Sequence, residues 1–266
     1  MNDILLAADI GNTDTVFGIF RGPVLAAEWR TPTAAVRSAP RTAQIVRLLL
    51  AEAGARALGG AVLSSVDPSA SRVVARAVKR TFRITPYVIA GDDPAGFRVG
   101  YRDPKSLGPD RLCNAAAARH FYGAPVIVVD AGTAITFDVI LRSGAFAGGA
   151  IAPGIAASAR ALARGTARLP EIPLAFPRKA IGRSTVEAMQ SGVLFGAIDA
   201  VDGMIRRIRK LTGPGTTVVA TGGHAGLLAR HSRIIRIVAP SLVLEGARLL
   251  YEHRRTLRTR LGRQKG

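Results

Sequence analysis

Hydrophobic positions fall in two rhythms along this chain, and their alternation predicts an α/β protein. Ile4–Ala8 is an unbroken apolar run ending at Asp9, and Thr15–Phe20 resumes it after the polar stretch Gly11–Asp14. Two such runs around a glycine-containing turn read as paired strands, and Val24–Trp29 adds a third to make a meander. Arg41–Ala53 then spaces Ala43, Ile45, Leu48, Leu49 and Ala53 for one helical face and stops before Gly54, a helix-ending residue. Gly60–Val66 reads as a strand, Pro68–Lys79 as a helix and Tyr87–Ala90 as a strand. Strands followed by alternating helices and strands indicate layered α/β structure.

A second series begins near residue 110. Asp110–Phe121 is an alanine-rich helix, Pro125–Val129 an apolar strand ending at Asp130, and Ala134–Leu141 its continuation after a turn. Gly144–Gly154 reads as a glycine-rich hairpin or loop. Helices are expected around Ile155–Arg164 and Thr185–Lys210, then a strand at Thr217–Ala220, a short helix at Ala225–Ala229, a strand at Ile234–Val238 and a closing helix at Leu242–Tyr251.

The two series match internally. Asp9, Gly11 and Thr15 align with Asp130, Gly132 and Thr136 at a constant offset of 121 residues. Each copy is an apolar strand, an acidic residue at its end, a glycine turn and a second strand, so the chain reads as a duplicated α/β domain. A strand–Asp-x-Gly–strand turn presents backbone N–H groups to a phosphate, with the hydroxyls of Thr13, Thr15 and Thr133 as further donors. A carboxylate at the strand end suits a hydrated metal ion. Either turn alone reads equally as an ordinary β-hairpin; the pair in matching order favours phosphate binding.

A third constellation runs from Tyr101 to Arg111, Tyr-Arg-Asp-Pro-Lys-Ser-Leu-Gly-Pro-Asp-Arg. Asp110 falls at a helix start, where it is either a cap stabilised by the macrodipole or a carboxylate positioned to take a proton from a substrate hydroxyl. Arg111 beside it suits an anionic group. Ser184 and Glu187 fit a capping box, which would make Thr185 simply the first residue of its helix. Neither the Gly-x-x-x-x-Gly-Lys-[Ser/Thr] phosphate loop nor the Gly-x-Gly-x-x-Gly fingerprint occurs. Four histidines without ligand spacing and one cysteine, Cys113, argue against a zinc site and exclude an intrachain disulfide. Cys113, among alanines, reads as a buried small residue.

Charge adds a complication: 37 basic against 18 acidic residues, net +19. Only five of the basic residues are lysine, and the arginines are spread through every segment, so the bias is global. Its dense end is the tail, with Arg254, Arg255, Arg258, Arg260, Arg263 and Lys265, which is expected to fray. Such a field attracts polyanions, but Trp29 and the few other aromatics read as core rather than a base-stacking surface, which disfavours nucleic acid. No apolar run reaches the ~20 residues needed to span a bilayer, and Asp3 and Asp9 do not fit a signal peptide. The expectation is a soluble cytoplasmic protein.

Asp9-Ile-Gly-Asn-Thr13, Gly108-Pro-Asp-Arg111, Asp130-Ala-Gly-Thr-Ala134, Gly148-Gly-Ala-Ile-Ala-Pro-Gly154 and Thr221-Gly-Gly223 together resemble, in identity and order, the type III pantothenate kinases. The resemblance covers about residues 3 to 250. It implies the fold of actin, sugar kinases and the 70-kilodalton heat-shock chaperones, with two ribonuclease H-like lobes and ATP in the cleft between them. The lobes are expected at residues 1–115 and 116–252, with 253–266 as a flexible basic tail. The implied reaction is ATP-dependent phosphorylation of the primary hydroxyl of pantothenate, the first step toward coenzyme A, by a homodimer.

By the same resemblance, Asp9, Ile10, Gly11, Asn12, Thr13, Asp14, Thr15 and Val16 form the first phosphate loop, and Thr133 contacts ATP. Asp110 is the general base; Tyr101, Gly108, Pro109, Asp110, Arg111 and Thr185 contact pantothenate. Asp130 holds a monovalent cation, potassium or ammonium, while magnesium accompanies ATP. Because pantothenate kinases of this type form the substrate site near the dimer interface, the resemblance allows Thr185 to serve either its own subunit or the neighbouring one. Asp14 stands where the family usually has Asn, which adds a negative charge beside the phosphate loop; a cation could absorb it, or the side chain could point away. The arginine content and the tail depart from the family and leave two alternatives: a catalytically altered paralogue with a regulatory or nucleic-acid-binding role, and a kinase for another hydroxylated acid.

Overall fold

The first apolar run is long enough to be buried on both faces, which requires neighbours on both edges as well. In the computed structural model, which describes residues 3–263, it becomes β1 (Ile4–Ile10), the middle strand of a five-stranded sheet. β2 (Asp14–Arg21) pairs with it antiparallel and β3 (Val24–Pro32) follows antiparallel to β2. β4 (Gly60–Ser65) lies parallel to β1 on its other edge and the two-residue β5 (Tyr87–Val88) parallel to β4. Between these strands come α1 (Thr33–Val36), α2 (Ala39–Glu52) and α3 (Pro68–Phe82). α3 starts cleanly because Asp67 caps it, accepting from the N–H groups of Ser69 and Ala70, with Pro68 as the first helical residue. Leu6, Ile10, Phe17, Ile19 and Leu63 of the sheet bury against Val46 and Leu49 of α2 and Val74 and Val78 of α3.

The second series repeats the plan after α4 (Pro109–Tyr122). β6 (Val126–Ala131), β7 (Ala134–Ile140) and β8 (Phe146–Pro153) form the antiparallel meander, and β9 (Thr217–Thr221) and β10 (Ile237–Val238) add in parallel beside β6. α5 (Ile155–Gly165), α6 (Thr185–Thr212) and α7 (Ala225–His231) complete the unit. The strand orders, β3-β2-β1-β4-β5 and β10-β9-β6-β7-β8, are the same order with β6 replacing β1, β7 replacing β2 and so on. The duplication read from the turns therefore extends to whole sheets.

The repeat is not in constant register. Asp9 faces Val16 across the first hairpin, whereas Asp130 faces Thr136 across the second. The second turn is one residue shorter, so Thr136 is the counterpart of Val16, not of Thr15. Because side chains alternate faces along a strand, that one residue puts Thr136 on the same face as Asp130 and Thr15 on the face opposite Asp9.

The closing helix shows the largest departures from expectation. α8 runs Leu242–Arg263 instead of ending at Tyr251, because the arginines, leucines and glutamates of this stretch favour helix and no breaker intervenes before Gly262. Residues 264–266 of the basic tail, Lys265 among them, lie outside the described residues. Arg248 is buried between Glu245 at 3.0 Å and Glu252 at 2.9 Å, and Arg254 lies 4.1 Å over the ring of Tyr87 while pairing with Asp93 at 3.5 Å. The contacts of Arg254 with Tyr87 and Asp93, and of Arg248 with the ring of Phe20 at 5.5 Å, put α8 in the first unit. The chain divides into Met1–Phe121 with Leu242–Gly266, and Tyr122–Ser241, where the sequence suggested breaks at 115 and 252. Gly144–Gly154 also differs, since most of it is the edge strand β8. Trp29 is 42% exposed on the edge strand β3 rather than in the core. No helix among the described residues is long and apolar enough to cross a membrane.

Gly246 sets how closely α8 approaches α4, for a Cβ there would sit 2.7 Å from the Cα of Cys113. Gly246→Val is expected to lower the unfolding free energy by about 1–3 kcal/mol, since backbone cannot yield as a side chain would. A denaturant melt checks this, and unchanged stability would show that the helices can separate at no cost.

Candidate active site

β1 reverses into β2 within three residues, and Gly11 permits it. Its N–H donates to the carbonyl of Asp14 at 3.0 Å, and a Cβ at Gly11 would lie 2.8 Å from that same oxygen, too close for any side chain. Asn12 and Thr13 stand exposed at the tip, whereas Ile10, Thr15 and Val16 are buried. Thr15 lies with its hydroxyl 3.0 Å from that of Thr33. Thr33 gives its own proton to the carbonyl of Gly11 at 2.7 Å, so Thr15 must be the donor in the pair. The buried side chains of this segment therefore shape the turn from beneath while its tip faces outward.

Asp9 accepts a hydrogen bond from Ser64 Oγ at 2.9 Å, a contact created by the parallel register that sets Asp9 beside Ser64. Asp14 lies 3.9 Å from the guanidinium of Arg30 on β3. Both side chains are about half exposed, so the pair contributes little to stability, but it supplies a positive charge from within the chain beside the extra carboxylate.

Asp110 is the second residue of α4, after Pro109; the first helical hydrogen bond runs from Leu112 N–H to Gly108 C=O at 3.2 Å. Gly108 is thus the cap, and Asp110 lies inside the first turn. Its carboxylate accepts from the Arg111 N–H at 2.8 Å and folds back over Gly108, where a Cβ would collide with it. Burial pushes its carboxyl above the ordinary carboxylate range, against the opposing pull of the Arg111 backbone and guanidinium. Arg111 is itself buried, donates to the Tyr101 hydroxyl at 3.2 Å and lies 5.7 Å over that ring. Tyr101, Gly108, Pro109, Asp110 and Arg111 thus form one cluster. One turn further along, Cys113 is fully buried, and its thiol is pushed up by burial and by the carboxylates of Asp9 and Asp110. The end of β1 and the start of α4 therefore share one neighbourhood.

In the second unit, Gly132 N–H closes its turn on the carbonyl of Ala134 at 2.9 Å. The Asp130 carboxylate sits in a cradle of glycine backbone. Gly222 has φ +88°, and a Cβ on it would fall 2.8 Å from the carbonyl carbon of Ala131 and collide with Asp130. A Cβ on Gly154 would fall 2.7 Å from Gly132 O, so the glycine stretch ending β8 closes against the turn that carries Thr133. Thr185 begins α6 exposed. The cap is Ser184, whose hydroxyl accepts from Glu187 N–H at 3.2 Å, while Glu187 reaches back to Arg183 N–H at 2.7 Å. Ser184 thus caps α6 without the Thr185 hydroxyl, and the Glu187 carboxylate meets the N–H one residue before the cap instead of closing a full capping box. His224 is half-buried at the start of α7.

Sequence reasoning missed Ser64, Arg30 and Thr33, and gave Gly222 no role. The Thr-Gly-Gly run marked Gly222. Ser64 had only a serine pair at a strand end, and Arg30 and Thr33 gave no signal before β3 was placed beside β2.

Two duplicated five-stranded units of this order define an actin-like fold, and solved structures agree. A Campylobacter jejuni protein assigned to the Baf family of transcriptional activators is 21% identical, with a TM-score of 0.59 over 94% of this chain and 99% of that one. The activator of 2-hydroxyisocaproyl-CoA dehydratase from Clostridium difficile, with bound ADPNP, is 14% identical, with a TM-score of 0.58 over 96% and 97%. At these identities they speak for the fold alone. Sequence relatives are nearer. A type III pantothenate kinase of Dehalococcoides mccartyi is 44% identical over 95% of this chain and 98% of its own length, and one from a Parafrankia species 42% identical over 94% and 98%. The sequence profile of the type III pantothenate kinases matches residues 5–207, and the chain belongs to that family.

The raised carboxyl of Asp110 has a consequence for folding. Its contribution to stability is full below the pKa of the unfolded chain and lost as pH rises through the higher folded value. At neutral pH the buried charge is a net cost. Asp110→Asn should therefore melt at the same temperature as the wild type or higher at neutral pH, with the difference closing in acid. A clearly lower neutral melting temperature would show that the carboxylate is stabilised by its neighbours instead.

Proposed function

We propose that this chain phosphorylates pantothenate from ATP, the first step of coenzyme A synthesis, with Asp110 as general base. The observation that carries the reading is the buried carboxylate of Asp110, raised above its ordinary range and set beside Arg111 and Tyr101. A base poised nearer neutral pH takes a hydroxyl proton more readily than an ordinary carboxylate. Arg111 and Tyr101, with Gly108 and Pro109, would bind the substrate; the substrate carboxylate matches the guanidinium. Thr185 is the remaining proposed substrate contact.

The outward tip of the β1–β2 turn, within Asp9–Val16, would hold ATP phosphates through backbone N–H groups and the Thr13 hydroxyl. Thr133 is the proposed nucleotide contact of the second unit. Bound with ATP, Mg2+ supplies neutralisation of phosphate charge, and Asp9, half-buried at the strand end before that turn, would offer a carboxylate to the hydrated ion. Asp130, packed against the backbone of Gly222 and close to Gly132, is the carboxylate that would hold the monovalent cation, potassium or ammonium. The protein would act as a cytoplasmic homodimer.

The test is transfer from ATP to pantothenate with magnesium, comparing potassium and ammonium against sodium. Product that depends on the monovalent cation supports both substrate and cation site; none from folded protein overturns the reading. Asp110→Asn is expected to lower kcat by roughly 10²–10⁴-fold while nucleotide binding survives. In the wild type kcat/KM should fall as pH drops through the raised pKa of Asp110. Asp130→Ala should lose the potassium response, and a retained response would remove the cation from that residue.

A further inference from the structure

An anion-binding turn has to solve a problem that its N–H groups do not solve by themselves. Every residue that points an N–H toward a phosphate also carries a carbonyl, whose lone pairs repel the same anion if they point the same way. In the β1–β2 turn the carbonyls are drawn off systematically. That of Asp14 accepts from Gly11 N–H at 3.0 Å, and that of Thr13 accepts from Thr33 N–H at 2.8 Å. That of Gly11 accepts from Thr33 Oγ1 at 2.7 Å. Two of these three bonds come from one residue. Thr33 is only 2% exposed, and its hydroxyl oxygen also accepts from buried Thr15 at 3.0 Å. It stands at the start of α1, directly after β3, so the chain enters this helix by reaching under the turn.

From this geometry we infer that Thr33 is a positioning residue for nucleotide binding. It fastens the carbonyls of Gly11 and Thr13 to the protein side of the turn, so that the opposite side is left to the phosphates. It touches no substrate itself. The short helix α1 is held in turn from its other end, where Arg37 bonds Asp67 at 2.6 Å and Ser69 at 2.8 Å. The brace is therefore tied to the start of α3 as well as to the turn. The inference rests on the reading of this turn as the phosphate loop of an ATP-dependent kinase.

The experiment measures binding of a fluorescent ATP analogue with magnesium, without pantothenate, in wild type, Thr33→Val and Thr33→Ser, followed by the KM of each substrate. Valine keeps the shape and the N–H but leaves Gly11 C=O and the Thr15 hydroxyl without their buried partner. Thr33→Val is expected to weaken nucleotide binding about tenfold or more, to raise the KM for ATP in step, and to leave the KM for pantothenate within about twofold. Thr33→Ser, which keeps the hydroxyl, should recover most of the loss. Wild-type nucleotide affinity in Thr33→Val would overturn the inference, as would an equal loss for both substrates or a serine variant no better than valine. Should the valine protein fail to fold, Thr15→Val removes one bond of the same chain; an unchanged nucleotide affinity there would count against the brace. A wild type that binds the analogue but does not phosphorylate pantothenate would overturn the proposed reaction and leave the inference standing.

Discussion

A carboxylate at the end of an otherwise apolar central strand must be answered by whatever the next parallel strand presents, and both units are organised around that requirement. β1 and β6 are buried along nearly their whole length, and each carries an acidic residue one position before its end: Asp9 in one, Asp130 in the other. Beside Asp9 the parallel neighbour offers the hydroxyl of Ser64; beside Asp130 it offers Thr221 and then the bare backbone of Gly222. Unmet, such a group would weigh against burial of the strand that carries it. Met in this way, it becomes a fixed charge at a strand end, next to a turn that reverses in two or three residues.

The same duplicated plan leads to differently built turns in the two units through small changes. One residue fewer in the second turn shifts β7 relative to β2, which places Thr136 on the face of Asp130 while Thr15 turns inward toward Thr33. The first turn is braced from below by side chains. The second is closed by backbone, with Gly154 and Gly222 packed where no Cβ fits. Asp110 illustrates a third device, a charge held by a helix start against its own desolvation.

Much of this was legible beforehand. The strands, most helix limits and the repeat followed from runs, spacings and turn residues, because burial on two faces and helical amphipathicity leave their periods in the sequence. The Asp-x-Gly turns and the Gly-Pro-Asp-Arg stretch stood out for the same reason: their local chemistry is complete within a few residues. The extent of α8 was misjudged because a charged segment was taken as solvated, whereas Arg254 finds Asp93 and Tyr87 and Arg255 lies over the ring of Tyr251. Those partners are remote or one helical turn away, and only packing shows which are used.

By itself, then, the sequence determined the duplicated α/β plan, the two glycine turns and the neighbourhood of Asp110, all of which are encoded in contiguous residues. Tertiary structure alone decided that Ser64 meets Asp9, that Arg30 meets Asp14, that Thr33 holds the turn and that the last helix belongs with the first unit. Each of those depends on which strands become neighbours and in what register. A shift of one residue there exchanges buried and exposed faces, and no local pattern in the chain records which alignment wins.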